Sequence, residues 1–472
     1  MSSNKDSLGP DGKETPEMIE SREDGFSEET SRNRIAPISR RGFLAATGGS
    51  LALGGLIRYA GGARPFAPPD CGTSDITVED DEWSFPDHDR QHTSHAPGRA
   101  APDSLQERWH TEWDIHNHGP PTVANGLVFV ASTDKSARET LRALDLYTGD
   151  ERWTVKFSES GGAYPVVAAG DTVYYHTNPD TAGRTAFALA MADGNERWTD
   201  TVRDLHAYPP SVMLADGSAV LTDPTLNEER TLVRAVDSRS GEECWRTALN
   251  VTSLQSYAGV AGGDVYFVAR TAVSPEDGSA IELIALDATT GESTWRTALP
   301  GDAAESFVLG SDHAYVAALH GPITAVSFDT GETIWQHERT ELFGEDEAGV
   351  GFASPSHELG ALTPDALVVR LEAHSDASDR LRAFDPMTGE ILWTRVAQGH
   401  DAWFTTPTAA GSEVFVAENQ EGSGTNRLLR LDAASGKRRE SVPYQGWTHS
   451  SPVFTEGIAI FVTGSGVSAF RP

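Results

Sequence analysis

The chain has 472 residues, enough for one large β domain or two to three ordinary ones, and its 38% hydrophobic and 23% charged residues allow a globular core. A net charge of −33 argues against nucleic acid as a partner, because phosphates would be repelled. Only five lysines stand against thirty-two arginines, and an acid excess of this kind keeps a protein hydrated where concentrated salt screens its self-repulsion.

The polar first 38 residues precede the stretch "SRRGFL" at 39–44, in which Arg40 and Arg41 match the start of a twin-arginine secretion signal. Met18 is a second candidate start beside Met1. The weakly apolar run at 43–57 is shorter than the roughly 20 residues that cross a bilayer. Gly61 and Ala63 offer small residues for cleavage before Arg64, with an uncleaved N-terminal anchor as the alternative. Residues 1–63 are thus expected to be a disordered lead and signal, 64–104 a linker and lead-in, and 105–472 the folded body. The expected destination is the cell surface or medium, reached in the folded state. Cys71 and Cys244, the only cysteines, make no disulfide framework, zinc site or thiol redox motif. Two unpaired thiols are expected, with one bridge between them as the alternative.

From Ala143 onward one pattern recurs: "ALDLYTGDERW", "ALAMADGNERW", "AVDSRSGEECW", "ALDATTGESTW", "AVSFDTGETIW", "AFDPMTGEILW" and "RLDAASGKRRE". The turn glycines, Gly149, Gly194, Gly241, Gly291, Gly331, Gly389 and Gly436, are spaced by 45, 47, 50, 40, 58 and 47 residues, about one four-stranded propeller blade. In the fourth copy Asp287 can bond the backbone ahead and start the turn, and Gly291 permits positive φ. Trp295 ends the returning strand with an indole that one hairpin cannot bury alone. Ala190 and Ser327 replace the turn aspartate, so those two turns are expected to be looser. In the last copy Arg430 and Glu440 replace the alanine and tryptophan that face each other, predicting a cross-strand ion pair worth roughly 0.2–1 kcal/mol.

A second series, from "ANGLVFV" to "TEGIAIFV", supplies eight inner hairpins against seven outer motifs. The chain ends "GVSAFRP" without an eighth outer strand, while "LQERWHTEW" stands alone near the start, Trp109 lying 44 residues before Trp153. The N-terminal strand is therefore expected to close the last blade, leaving no open sheet edge between the chain ends. The fold class is all-β: an eight-bladed propeller of four-stranded antiparallel blades, with seven blades as the alternative. Docking tryptophans are Trp109, Trp153, Trp198, Trp245, Trp295, Trp335 and Trp393.

The outer motif resembles the A-x-D-x-x-T-G-x-x-x-W docking repeat of pyrroloquinoline-quinone (PQQ) type propellers, and "WSFPDHDRQHTSHAP" at 83–97 is similar to that family's lead-in. The resemblance covers roughly residues 83–472, and seven copies make it specific. It includes quinoprotein dehydrogenases and BamB-like scaffolds without a cofactor. Members using PQQ with calcium often carry an adjacent cysteine pair, which this chain lacks, and no calcium ligand set or catalytic aspartate aligns here. The acid-rich, lysine-poor composition resembles that of salt-loving archaea.

Residues just before the inner hairpins, His116, His118, Tyr164, Tyr208, Tyr257, Phe352, Trp403, Trp447 and His449, are expected around the channel mouth, suited to a peptide loop or sugar. The "HNH" of His116–His118 is half a metal site with no third ligand evident, and His92 is expected to be structural. No nucleophile elbow, phosphate loop or metalloprotease helix occurs. The sequence therefore predicts an exported, monomeric, non-catalytic propeller binding a protein or surface polymer, with no metal and no cofactor. A PQQ-dependent oxidoreductase is the alternative.

Overall fold

A computed structural model describes residues 76, 78 and 82–471, apart from interior stretches that include 98–105, 114–116, 203–211, 272–280, 345–355 and 445–447, together with shorter ones. The signal arginines Arg40 and Arg41, Cys71, and the site candidates His116, Tyr208, Tyr257, Phe352, Trp447 and His449 lie outside the described residues. The fold is all-β, with eight antiparallel blades. Blade 1 runs outward from Thr122–Ala124 through Leu127–Thr133 and Arg138–Asp145 to Glu151–Ser160. Blades 2 to 7 repeat the order in sequence; Val167–Ala169, Val212–Ala215, Gly259–Ala261, Ala303–Leu309, Ser356–Leu362 and Thr408–Ala410 are their inner strands. Blade 8 takes Val453–Thr455, Ile458–Thr463 and Gly466–Arg471 from the C-terminus and its outer strand, Gln106–Glu112, from the N-terminal side. Trp109 stands opposite Ala469, so the ring closes as the orphan strand predicts. Period-2 alternation puts one face of every blade against each neighbour, and the core is a series of apolar clusters between blades.

Position one of each outer motif faces the tryptophan across the hairpin, as in Ala285 opposite Trp295 and Ala235 opposite Trp245. The small alanine leaves room for the indole to lean onto the following blade. There Trp109, Trp153, Trp198, Trp245, Trp335 and Trp393 donate to a turn carbonyl at 2.8–3.0 Å. Each also covers that blade's glycine so closely that a Cβ on Gly149, Gly194, Gly241, Gly291, Gly389 or Gly436 would lie within 3.0 Å of the ring. The turn glycine thus has two reasons: a positive φ and the indole above it. Asp287 caps its turn through the N–H groups of Thr289 and Thr290.

The aspartate departures separate. With Ala190, the turn keeps its Trp153 contact and hydrogen bond, so no loosening follows. With Ser327, nothing lies nearer to a Cβ on Gly331 than Thr297 at 3.9 Å, and the buried Trp295 Nε1 has no partner. That junction is the loose one. Arg430 and Glu440 do pair across the strands, at 3.4 Å, and Arg430 also meets Glu413 at 2.7 Å. Cys244 is disulfide-bonded, correcting the expectation of a free thiol; the chain's only other cysteine is Cys71.

Residues 83–97 form a strap across the inner strands. The N–H groups of Val123, Ala168, Val260, Leu309, Leu362 and Ala409, in blades 1, 2, 4, 5, 6 and 7, donate at 2.7–2.9 Å to the strap carbonyls of Trp83, Ser84, Arg90, Gln91, Thr93 and Ser94. His95–Ala96 adds a parallel strand to blade 7. Phe85 joins the apolar cluster that runs through blades 2 to 4, and the Trp83 ring meets Phe454 of blade 8 at 6.4 Å. His92 clasps the strap: Nδ1 contacts Asp87 at 3.1 Å and Nε2 the Ala258 carbonyl at 2.8 Å. Burial opposes its charge, but Asp87 and that carbonyl outweigh it and hold the imidazole above its ordinary pKa. The structural role expected of His92 is what the geometry gives it.

Two predictions follow from these contacts. Gly291→Ala, which sets a methyl into Trp245 at positive φ, is expected to cost about 2–4 kcal/mol in denaturant unfolding, whereas Gly331→Ala, with open space above it, costs about 1 kcal/mol. Equal costs would mean that the indole contact is not what the glycine serves. Trp83→Ala, removing a fully buried anchor of the strap, is expected to cost about 3–5 kcal/mol by the same measurement.

Candidate functional site

The strap and the first residues of the inner strands enclose a chamber in the channel with two adjoining lobes of about 320 and 280 Å³. Pro86, Asp87 and Ser94 of the strap line both lobes, and so do Pro120, Glu358 and Thr406. Gln255 and Glu305 line the first lobe; His118, Ser450 and Ser451 line the second.

Of the described candidates, His118 lines the chamber. Tyr164 lies instead in the wall between blades 1 and 2, its ring 4.5 Å from that of His176 and its N–H on the Tyr175 hydroxyl. Behind it Tyr175 donates to Glu139, whose other oxygen has no partner and whose pKa burial pushes up to about 8. Trp403 sits in a short strand beside Asn419 of blade 7 and is not among the lining residues.

The chamber residues missed by the sequence reading include two glutamates. Glu305 and Glu358 each stand four residues before the strand residue that bonds the strap, Leu309 and Leu362, the register that Tyr164 holds before Ala168. The sequence carries no signal for them, because Tyr164 holds the same register and does not line the chamber. Burial raises the Glu305 pKa to about 7, the His357 N–H holds it down somewhat, and the nearby charge of Glu358 raises it again. Glu358 is likewise raised by burial, against the pull of Arg370 at 3.6 Å and a 2.6 Å bond from the Thr406 hydroxyl. Asp87 on the strap adds a third acidic group to the lining.

These walls suit neutral or cationic groups and hydrogen-bond donors. The cofactor implied by the PQQ-type resemblance is a planar quinone carrying carboxylates. It would meet Asp87, Glu305 and Glu358, and no arginine or lysine is among the described lining residues to balance it. The residues present do not fit that group. Among the described residues no set of three or more His, Cys, Asp or Glu is placed to hold a metal ion.

Because the folded state holds the Glu305 proton more tightly than the unfolded chain, stability falls as pH rises from the ordinary carboxyl value near 4.5 to about 7. Glu305→Gln removes that loss. Thermal unfolding is expected to show the variant gaining on the native protein at pH 8 but not at pH 4; an unchanged difference between the two pH values would refute the assignment.

The comparisons agree with the fold. The structure resembles a quinohemoprotein alcohol dehydrogenase from Comamonas testosteroni with a TM-score of 0.62 and 14% identity, over 83% of this chain and 80% of that one. It resembles BamB from Moraxella catarrhalis with a TM-score of 0.52 and 17% identity, over 78% of this chain and 98% of that one. A quinohemoprotein alcohol dehydrogenase from Pseudomonas putida gives 0.61 and 14%, over 82% and 77%. At such identities the likeness establishes the fold alone. No curated protein matches the sequence. A family described as "Outer membrane protein assembly factor BamB" matches residues 99–225, 229–364 and 377–471, most of the chain and every blade, and the protein belongs to that family of PQQ-type propellers.

Proposed function

We propose that the protein is an exported, non-catalytic propeller scaffold that binds a protein or surface polymer at the cell surface. The observation that carries this reading is the chamber beside the strap: its described lining holds the carboxyl groups of Asp87, Glu305 and Glu358 and no arginine or lysine. Such a chamber favours a protruding lysine or arginine, or the hydroxyls of a sugar, over an anionic cofactor. The twin-arginine stretch at Arg40 and Arg41 supports export, and a disulfide at Cys244 suits an oxidising compartment. The outer-membrane assembly role of the family's namesake is not carried over here: the acid-rich, lysine-poor composition resembles that of salt-loving archaea, and such a host would lack that membrane.

Crosslinking on intact cells, with the native protein beside a Glu305→Gln, Glu358→Gln variant, tests the reading. A partner captured by the native protein and reduced several-fold with the variant is expected. Reconstitution with PQQ and calcium in high salt is expected to yield neither a quinone absorbance nor dye-linked alcohol oxidation. Gaining both would replace the scaffold reading with a quinoprotein oxidoreductase.

A further inference from the structure

Of the six large apolar side chains left exposed among the described residues, four belong to the outer motif of blade 6: Met387 in its turn, and Ile391, Leu392 and Val396 on its outer strand. On a chain of net charge −33 such a cluster marks a surface with a partner. The repeat shows how far this blade departs from the others. The two residues before the docking position and the third after it are Glu151, Arg152 and Lys156 in blade 1, Glu196, Arg197 and Thr201 in blade 2, and Arg438, Arg439 and Pro443 in blade 7. Only blade 6 carries a large aliphatic side chain at all three.

The strand, Ile391–Val396, is the last of a four-stranded sheet, so one row of its backbone N–H and C=O groups has no strand beyond it. Lysine and proline on an edge, such as Lys156 and Pro443, discourage pairing with another chain, and blade 6 has neither there. Alternation turns Leu392, Thr394 and Val396 to one face, opposite to Trp393, which docks on blade 7. Leu392 is 39% exposed and Val396 52%. This row of apolar residue, threonine and apolar residue reads alike from both ends, so the strand that fits it is itself. Paired antiparallel about a two-fold axis at Thr394, it sets each Leu392 opposite the other copy's Val396, and Thr394 opposite Thr394. No carboxylate lies between Ile391 and Val396, so two acidic chains meet there without opposed carboxylates, and concentrated salt screens the rest of their repulsion.

We propose that the outer strand of blade 6 is a homodimer interface, through which two copies of the chain join edge to edge in place of the monomer expected from the sequence. A strand of six residues covers less than the roughly 800 Å² per partner of a stable complex. The dimer is therefore weak and depends on concentration. The interface lies on the outer rim, apart from the acidic chamber, and is independent of the scaffold reading.

The test uses the folded full chain in concentrated salt. Sedimentation velocity from about 1 to 100 μM is expected to show the native protein passing from monomer to dimer. Leu392→Glu with Val396→Glu is expected to stay monomeric over that range and to unfold at the native temperature, because both side chains are exposed. Thr394→Cys reads the register. Opposite residues of an antiparallel pair have Cα atoms about 4.5–5.5 Å apart, within a disulfide's span, so mild oxidation is expected to link two copies. Gln336→Cys, at the same exposed place in the motif of blade 5, is expected to stay unlinked. A native chain that is monomeric at every concentration, a dimer that survives the double glutamate variant, or equal linking of the two cysteines overturns the proposal. Linking of Thr394→Cys on intact cells to a foreign chain alone assigns the strand to another partner and likewise overturns it.

Discussion

The ring depends on a contact between one blade's indole and the next blade's turn. Six of the seven docking tryptophans offer a flat face to a glycine at positive φ and an N–H to a carbonyl of the same turn, so apolar burial and a hydrogen bond fall on one spot. Because donor and receptor sit on successive blades, every repeat is incomplete until its neighbour folds against it. This also explains the seventh copy. Its receptor would be the turn of an eighth outer motif, but blade 8 takes its outer strand from the N-terminal side and has no such turn. An indole at Glu440 would have nothing to cover. The ion pair with Arg430 is what a position freed from docking can carry.

Inside the ring, the strap solves a different problem. The innermost strand of each blade presents unpaired backbone N–H groups to the channel, which would otherwise need water or a ligand. One extended segment supplies a carbonyl to six blades in chain order, an aromatic anchor to blade 8 through Trp83 and another to the cluster of blades 2 to 4 through Phe85. Such a segment ties together blades that are distant in sequence, and the imidazole of His92 locks its bend between Asp87 and Ala258. The acidic chamber is a by-product of where the strap lies: with Pro86 and Asp87 as one wall, the inner-strand residues ahead of the strap bonds become the opposite wall.

Two unlike surfaces result. The channel gathers Asp87, Glu305 and Glu358 in a partly desolvated space, which favours cationic or hydrogen-bonding partners. The outer strands of blade 7 line an open cleft with Arg427, Arg438 and Arg439, and Arg438 stands where blades 1 to 3 carry glutamate. In both places the chemistry departs from the repeat while the backbone does not, the pattern expected where structure is already secured by docking and side chains are released for other work.

Sequence alone determined the blade count, the closure by the segment around Trp109 and the Arg430–Glu440 pair, because those follow from period-2 alternation and from a repeat whose positions map one to one onto hairpin neighbours. It erred where the outcome hung on geometry between blades: the Ser327 turn is loose as expected, but the Ala190 turn held its indole, and Cys244 is bridged rather than free. The candidate site was legible only at its margin, in His118. Which residues face the chamber is set by where the strap crosses each inner strand, a long-range register that no local pattern encodes. That crossing, decided only in three dimensions, turned Tyr164 into a wall and made Glu305 and Glu358 the lining.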